Sequence, residues 1–252
     1  MQNNLKIIID PTHGGIDYGI ESNGIYEKDL VLELSKYINN RLNDLGIPSI
    51  LTRTIDKTLS PDERINLIKQ NVGDEKNVLI ISNGLNATYK QGADIIYQDL
   101  KENTEIIKII KQELENTGLN PINIYSKTNL EGLIDESLLQ QAFKNATVLI
   151  IDYGNLFNTS GQINKNLYNY GEAIVKAIAN YNQTNYQENS DFNQNTYIVK
   201  KGESLYSIAN KYGLSVNDLK RLNNLSSTKL DIGQIIKLPK IINDNINRYF
   251  ID

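Results

Sequence analysis

Short apolar segments with the pattern of strands alternate with longer segments of helical periodicity over the first 180 residues. The strand candidates are residues 6–10, 48–52, 78–82, 94–97 and 148–152, and the helix candidates are residues 30–45, 61–70, 104–117, 135–145 and 167–180. This alternation predicts an α/β fold with a mainly parallel sheet flanked by helices. Functional side chains in such folds lie at the carboxyl ends of strands. The sequence places His13, residues 83–86 and Asp152 at such ends.

Residues 181–195 are rich in asparagine and glutamine and have neither helical nor strand periodicity, which is typical of a flexible linker. The sequence therefore predicts an α/β domain of residues 1–180, a linker, a small domain of residues 196–240 and a C-terminal tail of residues 241–252. The charge changes at the same boundary. Residues 196–240 contain eight Lys and Arg against three Asp and Glu, a net charge of +5, whereas the whole chain carries −4.

The composition excludes several classes of function. The 252 residues include no cysteine, so disulfides, thiolate metal sites and a cysteine nucleophile are excluded. A net charge of −4 is too small to indicate a nucleic-acid partner.

No apolar run approaches the roughly 18 residues of a membrane span, and no signal peptide is visible. The chain has neither a Gly-Lys-Ser/Thr phosphate loop after Gly14-Gly15 nor a Gly-x-Ser-x-Gly motif, which argues against nucleotide-binding and serine-hydrolase functions.

A series of ordered motifs in the first domain carries a family resemblance. Residues 9–19, Ile-Asp-Pro-Thr-His-Gly-Gly-Ile-Asp-Tyr-Gly, resemble the opening motif of zinc-dependent N-acetylmuramoyl-L-alanine amidases, with Thr12 where the family usually has glycine. Glu27 opens the first predicted helix, as a glutamate does in that family, and residues 51–64 and 92–97 resemble its later segments. The resemblance extends from the first predicted strand to the last predicted helix of the α/β domain.

This resemblance implies metal-assisted amide hydrolysis. The family's zinc would be held by His13, Glu27 and a second histidine, and it would acidify a bound water. A further glutamate would take the proton of that water and pass it to the departing amine. The bond cleaved would join N-acetylmuramic acid to the first alanine of the stem peptide.

Two positions depart from the family pattern. In residues 82–87, Ser-Asn-Gly-Leu-Asn-Ala, Gly84 stands where the second histidine is expected, and His13 is the one histidine of the chain. Asp152 stands where the catalytic glutamate is expected, and a displacement near 1 Å costs roughly 100-fold in rate. The sequence therefore predicts that His13 and Glu27 are remnants of a metal site, that catalysis is lost, and that no cofactor is needed. Zinc is expected only if the site still functions.

Each of these site residues also has an ordinary structural interpretation. His13 can be a loop histidine satisfied by hydrogen bonds. Glu27 can complement the dipole at the N-terminus of its helix. Asp152 can cap the turn after its strand. The sequence alone leaves these alternatives open.

The small domain has a second resemblance. Residues 197–213, 216–223 and 232–239 closely resemble a LysM domain. The local pattern predicts a βααβ unit, with Ser204 as the N-cap of its first helix and Gly213 at that helix's end.

The LysM resemblance implies binding of N-acetylglucosamine-containing glycan in a groove between two loops. The matching residues are Gly202, Glu203, Ser204 and Leu205 in one loop, and Leu230, Asp231, Ile232 and Gly233 in the other. One such domain usually binds weakly, so avidity or a partner is needed. The charge of +5 favours approach to anionic wall polymers, and a protein-docking role is the alternative.

The sequence as a whole favours a peptidoglycan-binding protein with an amidase-like domain that has lost catalysis and a LysM domain that anchors it. Its predicted location is the cell wall or the extracellular space. The first domain would contact peptidoglycan or a protein partner. Two other hypotheses remain open, namely an active amidase with an unusual metal site, and a structural adaptor of a spore layer or phage tail.

Overall fold

The computed structural model describes residues 5–22, 24–72, 77–86, 92–97, 104–126, 139–187, 195–211, 216–223 and 225–238. The chain divides into two compact units, residues 1–187 and residues 188–252. Within the described residues, none of the helices is both long enough and apolar enough to cross a membrane.

The first unit is an α/β domain built on a six-stranded sheet. Its strands follow the order β4-β1-β5-β8-β6-β7, and every neighbouring pair is parallel except β8 with β6. The predicted mainly parallel sheet is therefore confirmed. The elements are β1 Lys6–Pro11, β2 Glu21–Ser22, β3 Ile25–Tyr26, α1 Glu27–Asp44, β4 Ser49–Leu51, α2 Pro61–Val72, β5 Val78–Asn86, β6 Ala93–Tyr97, α3 Thr104–Asn116, β7 Ile122–Ser126, β8 Thr147–Asn155 and α4 Leu156–Tyr181.

Several of these elements differ from the sequence prediction. The β2–β3 hairpin has strands of only two residues, too short to show a period. Strand β7 was not predicted, because it is a short strand at the edge of the sheet and its Ile124 and Tyr125 are partly exposed. Helix α4 begins at Leu156, whereas the predicted helix begins at residue 167. The prediction missed the first turns because their residues are mostly polar. Of the predicted helix 135–145, the structure shows residues 139–142 as helical, and residues 135–138 lie outside the described residues.

Apolar side chains pack on both faces of the sheet. On one face, Ile8, Ile80 and Val148 of three strands form a buried cluster with Ile68 and Val72 of α2. On the other, α1 packs on β1 and β5 and against α4. Strands that are buried on both faces read as continuous apolar runs in the sequence, which is why the sheet was predictable.

A buried carboxylate ties the carboxyl ends of the central strands together. Asp10, at 1% exposed, accepts hydrogen bonds from Thr52 Oγ1 at 2.5 Å and from Ser82 Oγ at 2.9 Å. It also forms an ion pair with Arg64 of α2, and Arg64 donates to Pro11 O at 2.9 Å. A buried charge is tolerated only when it is paired and hydrogen-bonded, so this cluster holds β1, β5 and α2 in one arrangement below the loop that follows β1.

The segment after α4 packs on the first unit instead of leaving it. Tyr186 OH donates to Glu172 Oε1 at 2.8 Å, and Arg41 donates both to Glu172 Oε1 at 2.7 Å and to Gln187 O at 2.9 Å. Within the predicted linker of residues 181–195, Tyr186 and Gln187 therefore contact the first unit. The asparagine- and glutamine-rich composition of this segment gave no indication that Tyr186 contacts Glu172. Residues 188–194 lie outside the described residues.

The second unit has the predicted βααβ order. It comprises β9 Asn195–Ile198, α5 Leu205–Lys211, α6 Val216–Leu222 and β10 Ile235–Leu238, with β9 and β10 antiparallel. Ser207 N donates to Ser204 Oγ at 3.1 Å, which confirms Ser204 as the N-cap of α5. Predicted Gly213 lies outside the described residues. The core contains Tyr197, Val199, Leu205, Ile208, Ala209, Leu219, Ile236 and Leu238.

Substituting Asp10→Asn tests the buried cluster. We expect it to lower the free energy of unfolding by roughly 3–5 kcal/mol, because Arg64 is left buried without its charge partner. Asp62→Asn is the matched control, since Asp62 is exposed in the first turn of α2, and it should change stability by less than about 0.5 kcal/mol. Chemical denaturation followed by circular dichroism measures both. Equal stabilities for the two variants would contradict the role given to Asp10.

Candidate functional site

The four residues predicted for the amidase-like site lie close together. His13 follows β1, Glu27 is the first residue of α1, and Gly84 and Asp152 are register partners on β5 and β8. His13 Nε2 lies 3.4 Å from Glu27 Oε2. A Cβ placed on Gly84 would lie 2.5 Å from Asp152 Oδ1 and 3.5 Å from Glu27 Oε1. The carboxyl edge of the sheet brings all four positions into one site.

Glu27 is the most deeply buried carboxylate of this group, at 3% exposed. Its Oε1 accepts a hydrogen bond from Leu85 N at 2.7 Å, and its Oε2 accepts one from Ile20 N at 2.9 Å. Because it also begins α1, it lies where the helix dipole favours a negative charge. Glu27 therefore faces His13 and at the same time joins β5 and the loop after β1 to the start of α1.

His13 lies between two carboxylates. Its Nδ1 is 2.9 Å from Asp17 Oδ2, on the side of the ring opposite to Glu27. Burial alone lowers the pKa of His13, but the hydrogen bonds and charges of Glu27 and then of Asp17 outweigh it and raise the pKa to about 9. His13 has a φ of 56°, which is uncommon outside glycine. The sequence interpretation missed Asp17, because its contact with His13 depends on the conformation of a loop, to which the helical i,i+4 spacing rule does not apply.

Below Gly84 and Asp152, a buried polar network joins the two strands. Asn83 Oδ1 accepts from Tyr153 OH at 2.9 Å, and Asn83 Nδ2 donates to Ser35 Oγ at 2.8 Å. Thr12 Oγ1 donates to Asn83 O at 2.8 Å. Asn83, Tyr153 and Ser35 are all 0% exposed. The amide of Asn83 is therefore committed to neighbouring side chains, and it does not point into the site as a ligand.

The ligand set can be compared with the needs of a zinc ion. A separation of 3.4 Å between His13 Nε2 and Glu27 Oε2 fits two corners of a tetrahedron with bonds of roughly 2.0–2.1 Å. Gly84 has no side chain and therefore offers no side-chain ligand. Asp152 lies opposite Asp94 of β6 in the antiparallel register. Within the described ranges of the chain, no group of three or more His, Cys, Asp or Glu is arranged to hold a metal ion, so the residues present there do not fit a three-ligand zinc site.

The predicted glycan-binding loops lie at one end of the second unit, next to the ends of β9 and β10. Gly233 N donates to Val199 O at 2.8 Å, which fixes the second loop against the residues that lead into the first. The side chain of Leu205 is 0% exposed and belongs to the core. Both carboxylate oxygens of Glu203 accept hydrogen bonds, from Tyr197 OH at 2.5 Å and Lys200 N at 2.9 Å.

Because Glu203 and Leu205 are engaged within the unit, few side chains of the two loops can contact a ligand. The exposed side chains of the two loops are Ser204, Asp231 and Ile232, and Ile232 is 69% exposed. Tyr206, which was not predicted as a site residue, is 71% exposed beside the first loop. Its neighbour Leu205 points into the core, so helical periodicity could have indicated its outward direction. The eight-residue glycan site stays a prediction.

The pKa of His13 is directly measurable because the chain has one histidine. In the metal-free protein we expect the imidazole NMR resonances of His13 to titrate with a pKa of about 9. The corresponding contribution to stability is complete below the ordinary pKa of about 6.5 and is lost as the pH rises through about 9. Glu27→Gln should move the pKa back toward 6.5. A pKa at or below 6.5 in the unmodified protein would contradict this pairing.

Comparison with known proteins identifies both units. A family model described as N-acetylmuramoyl-L-alanine amidase matches residues 7–209, and a LysM domain model matches residues 197–239. The overlap, residues 197–209, lies in the second compact unit.

Curated relatives match parts of the chain. The probable peptidoglycan endopeptidase LytE of Bacillus subtilis is 52% identical over 42 residues, which are 17% of this chain and 13% of LytE. The germination-specific N-acetylmuramoyl-L-alanine amidase of Bacillus subtilis is 32% identical over 133 residues, which are 44% of this chain and 54% of that protein. The chain thus spans about one eighth of the first relative and about half of the second.

Solved structures share the fold of the first unit. The amidase AmiC2 of Nostoc punctiforme has a TM-score of 0.58 at 21% identity and covers 71% of this chain and 98% of that chain. The CwlD amidase of Clostridioides difficile, solved in complex with the GerS lipoprotein, has a TM-score of 0.57 at 23% identity and covers 70% of this chain and 98% of that chain. Since the amidase model matches residues 7–209, the chain belongs to the N-acetylmuramoyl-L-alanine amidase family and carries a C-terminal LysM domain.

Proposed function

We propose that this protein binds peptidoglycan without hydrolysing it, and that its amidase unit has lost zinc-dependent catalysis. The observation that carries the proposal is at Gly84, where the family resemblance expects the second histidine. Gly84 offers no ligand, and the carboxylate of Asp152 lies where a side chain at this position would begin. Zinc with two protein ligands is held weakly, so its water is not reliably activated.

The residue at position 152 is the second argument for loss of catalysis. Asp152 keeps a carboxylate at the position of the family's general base, but its arm is one methylene shorter. Proton transfer requires the base to lie within hydrogen-bonding reach of the attacking water. Asp152 Oδ1 lies 2.5 Å from where a Cβ on Gly84 would stand, so the carboxylate fills space that a side chain at position 84 would need. The arrangement therefore supports loss of the base as well as of the ligand.

Binding is assigned to the LysM domain, with the amidase unit contributing a second surface. LysM domains bind peptidoglycan glycan, and the predicted groove loops of this one adjoin a small apolar core. We place the protein at the cell wall or outside the cell, in keeping with its cell-wall relatives.

The direct test combines metal analysis, digestion and sedimentation of the full chain. We expect well under one zinc per chain after equilibration with buffered zinc, because the ligand set is incomplete. Purified sacculi should carry the protein into the pellet, and no stem peptides should be released. About one zinc per chain together with free muramic ends would show an active amidase and overturn the proposal.

Rebuilding the site tests its scaffold. Gly84→His alone should stay inactive, because its Cβ would lie 2.5 Å from Asp152 Oδ1. Gly84→His combined with Asp152→Glu restores the ligand type and moves the carboxylate one methylene further out. We expect zinc binding and measurable peptide release from the double variant alone. Activity of the wild-type protein at the level of the double variant would mean that neither position limits catalysis.

The LysM assignment has its own test. Ile232→Ser removes an exposed apolar side chain from the second loop, and we expect it to weaken binding to sacculi about fivefold, equivalent to roughly 1 kcal/mol. Ile50→Ser is the matched control, since Ile50 is 42% exposed on edge strand β4 of the other unit. Equal affinity of the two variants in sedimentation assays would count against the predicted groove.

A protein partner is the second candidate function for the amidase unit. The relative from Clostridioides difficile was solved with a lipoprotein bound, and a curated relative is named as germination-specific. These names favour an adaptor role in a spore layer over one in a phage tail. Immunodetection in purified spores, phage particles and vegetative walls distinguishes these locations, and enrichment in vegetative walls alone would remove the adaptor hypothesis.

A further inference from the structure

The polypeptide reverses its direction directly after α4. Gln183 N donates to Asn180 O at 3.1 Å, and Thr184 N donates to Ala179 O at 2.9 Å, which is the hydrogen-bond pattern of a Schellman motif at the end of a helix. Gln183 occupies the left-handed position of this motif, with a φ of 56°. Residues 184–187, which we call the strap, therefore return toward the middle of α4.

The strap is held on a charged platform that α1 and α4 form together. Tyr186 OH donates to Glu172 Oε1 at 2.8 Å. Arg41 donates to the two oxygens of Glu172, at 2.7 Å and 3.1 Å, and to Gln187 O at 2.9 Å. Burial raises the pKa of Glu172, but the hydrogen bonds from Arg41, Tyr37 and Tyr186 outweigh it and lower the pKa below its ordinary value. Glu172 is therefore a charged acceptor at neutral pH, which strengthens its hydrogen bond with Tyr186.

Contacts that do not involve the strap hold this platform together. Tyr37 of α1 lies so close to Gly171 of α4 that a Cβ on Gly171 would stand 2.6 Å from Tyr37 Cδ1. Tyr37 also donates to Glu172, and its ring makes an edge contact with the ring of Tyr168 at 5.1 Å. Because these contacts join α1 directly to α4, the platform stays intact when the strap leaves it.

Two features of the turn oppose the fastening of the strap. Gln183 is neither glycine nor asparagine, so its left-handed backbone conformation costs free energy. Asn182 Oδ1 is buried and has no hydrogen-bond partner among the described residues, so it loses its contact with water without compensation. Asn182 Nδ2 donates to Thr184 Oγ1 of the strap at 3.1 Å. Departure of the strap therefore opens Asn182 to water and lets Gln183 relax, which recovers both costs.

The favourable contacts of the strap come from one side of it. Thr184 and Tyr186 are half-buried, whereas Asn185 and Gln187 are exposed, as in an extended segment that packs through alternate side chains. Its hydrogen bonds to the platform must offset the entropy lost on ordering four residues as well as the costs at the turn. A segment with so few buried contacts lies at the low end of local stability.

We propose that the strap exchanges between this fastened position and a released state, with Gln183 as the hinge, and that the exchange sets the length of the tether between the two units. Residues 188–194 connect the fastened strap to β9, and release adds the four residues of the strap to this tether. A longer tether lowers the effective concentration of one unit at a site held by the other. The inference is independent of the proposed function, because it concerns the chain between the units and not their ligands.

Spin labels on the full chain test the two states, because the chain has no cysteine and an introduced one is labelled specifically. A label at Asn185→Cys, on the exposed side of the strap, should give an electron paramagnetic resonance spectrum with a slow component from the fastened strap and a minor fast component from the released strap. Tyr186→Phe removes the hydrogen bond to Glu172, and it should raise the ratio of released to fastened strap about fivefold. Gln183→Gly relieves the hinge, and it should lower that ratio roughly threefold.

A second pair of labels measures the tether itself. Asn169→Cys lies on the exposed side of α4, and Thr228→Cys is exposed in the second unit. Pulsed electron paramagnetic resonance then gives the distribution of distances between the two labels. Tyr186→Phe should extend this distribution to longer distances, and Gln183→Gly should narrow it. Tyr181→Phe is the matched control, since Tyr181 is half-buried at the end of α4 before the hinge, and it should leave both measurements unchanged.

Three results would overturn the proposal. A single slow component at Asn185→Cys that Tyr186→Phe leaves unchanged would make the strap a permanent part of the first unit. A single fast component without further substitution would mean that the strap is not fastened. Shifted label spectra with an unchanged distance distribution would show that the strap moves without setting the tether. Each of these results leaves the proposed function standing, whereas failure of the unmodified chain to sediment with sacculi would remove the proposed function and leave the strap as measured.

Discussion

The ion pair between Asp10 and Arg64 is the interaction on which the arrangement of the site depends. A carboxylate at 1% exposed must be compensated, and its partners come from β5, α2 and the end of β4. These partners meet at the carboxyl edge of β1. The chain leaves the sheet after Pro11, two residues before His13. The position of His13 therefore depends on the buried cluster that holds the end of β1.

The departures from the amidase pattern are connected in space. Gly84 and Asp152 are register partners, and the residues directly before and after them, Asn83 and Tyr153, share a buried hydrogen bond. Thr12, a third departure, donates to Asn83 O. Polar groups buried in this way contribute to stability only when every partner is present. Asn83, Tyr153 and Thr12 therefore form a satisfied buried network below the site, and this network stabilises the edge of the sheet.

The sequence predicted the sheet, and it singled out four positions that meet at the carboxyl edge of that sheet, because both depend on strong local signals. Apolar runs such as residues 78–82 mark strands buried on both faces, and the His13 motif gives the end of β1. Two features could not be predicted. The antiparallel pairing of β6 with β8 places Asp94 opposite Asp152, and no local pattern encodes strand direction. The anchoring of Tyr186 on Glu172 joins residues whose contact depends on how α1 and α4 pack.

The survival of His13 and Glu27 does not by itself argue for a metal. Glu27 accepts backbone hydrogen bonds from Leu85 and Ile20, and removing its carboxylate would leave two largely buried amides unsatisfied at roughly 1–3 kcal/mol each. His13 supplies the positive partner that such a buried carboxylate needs. Both residues thus have a structural role in holding the loop that follows β1 against the start of α1, whether or not a metal binds. The pair therefore maintains the conformation of the loop that follows β1.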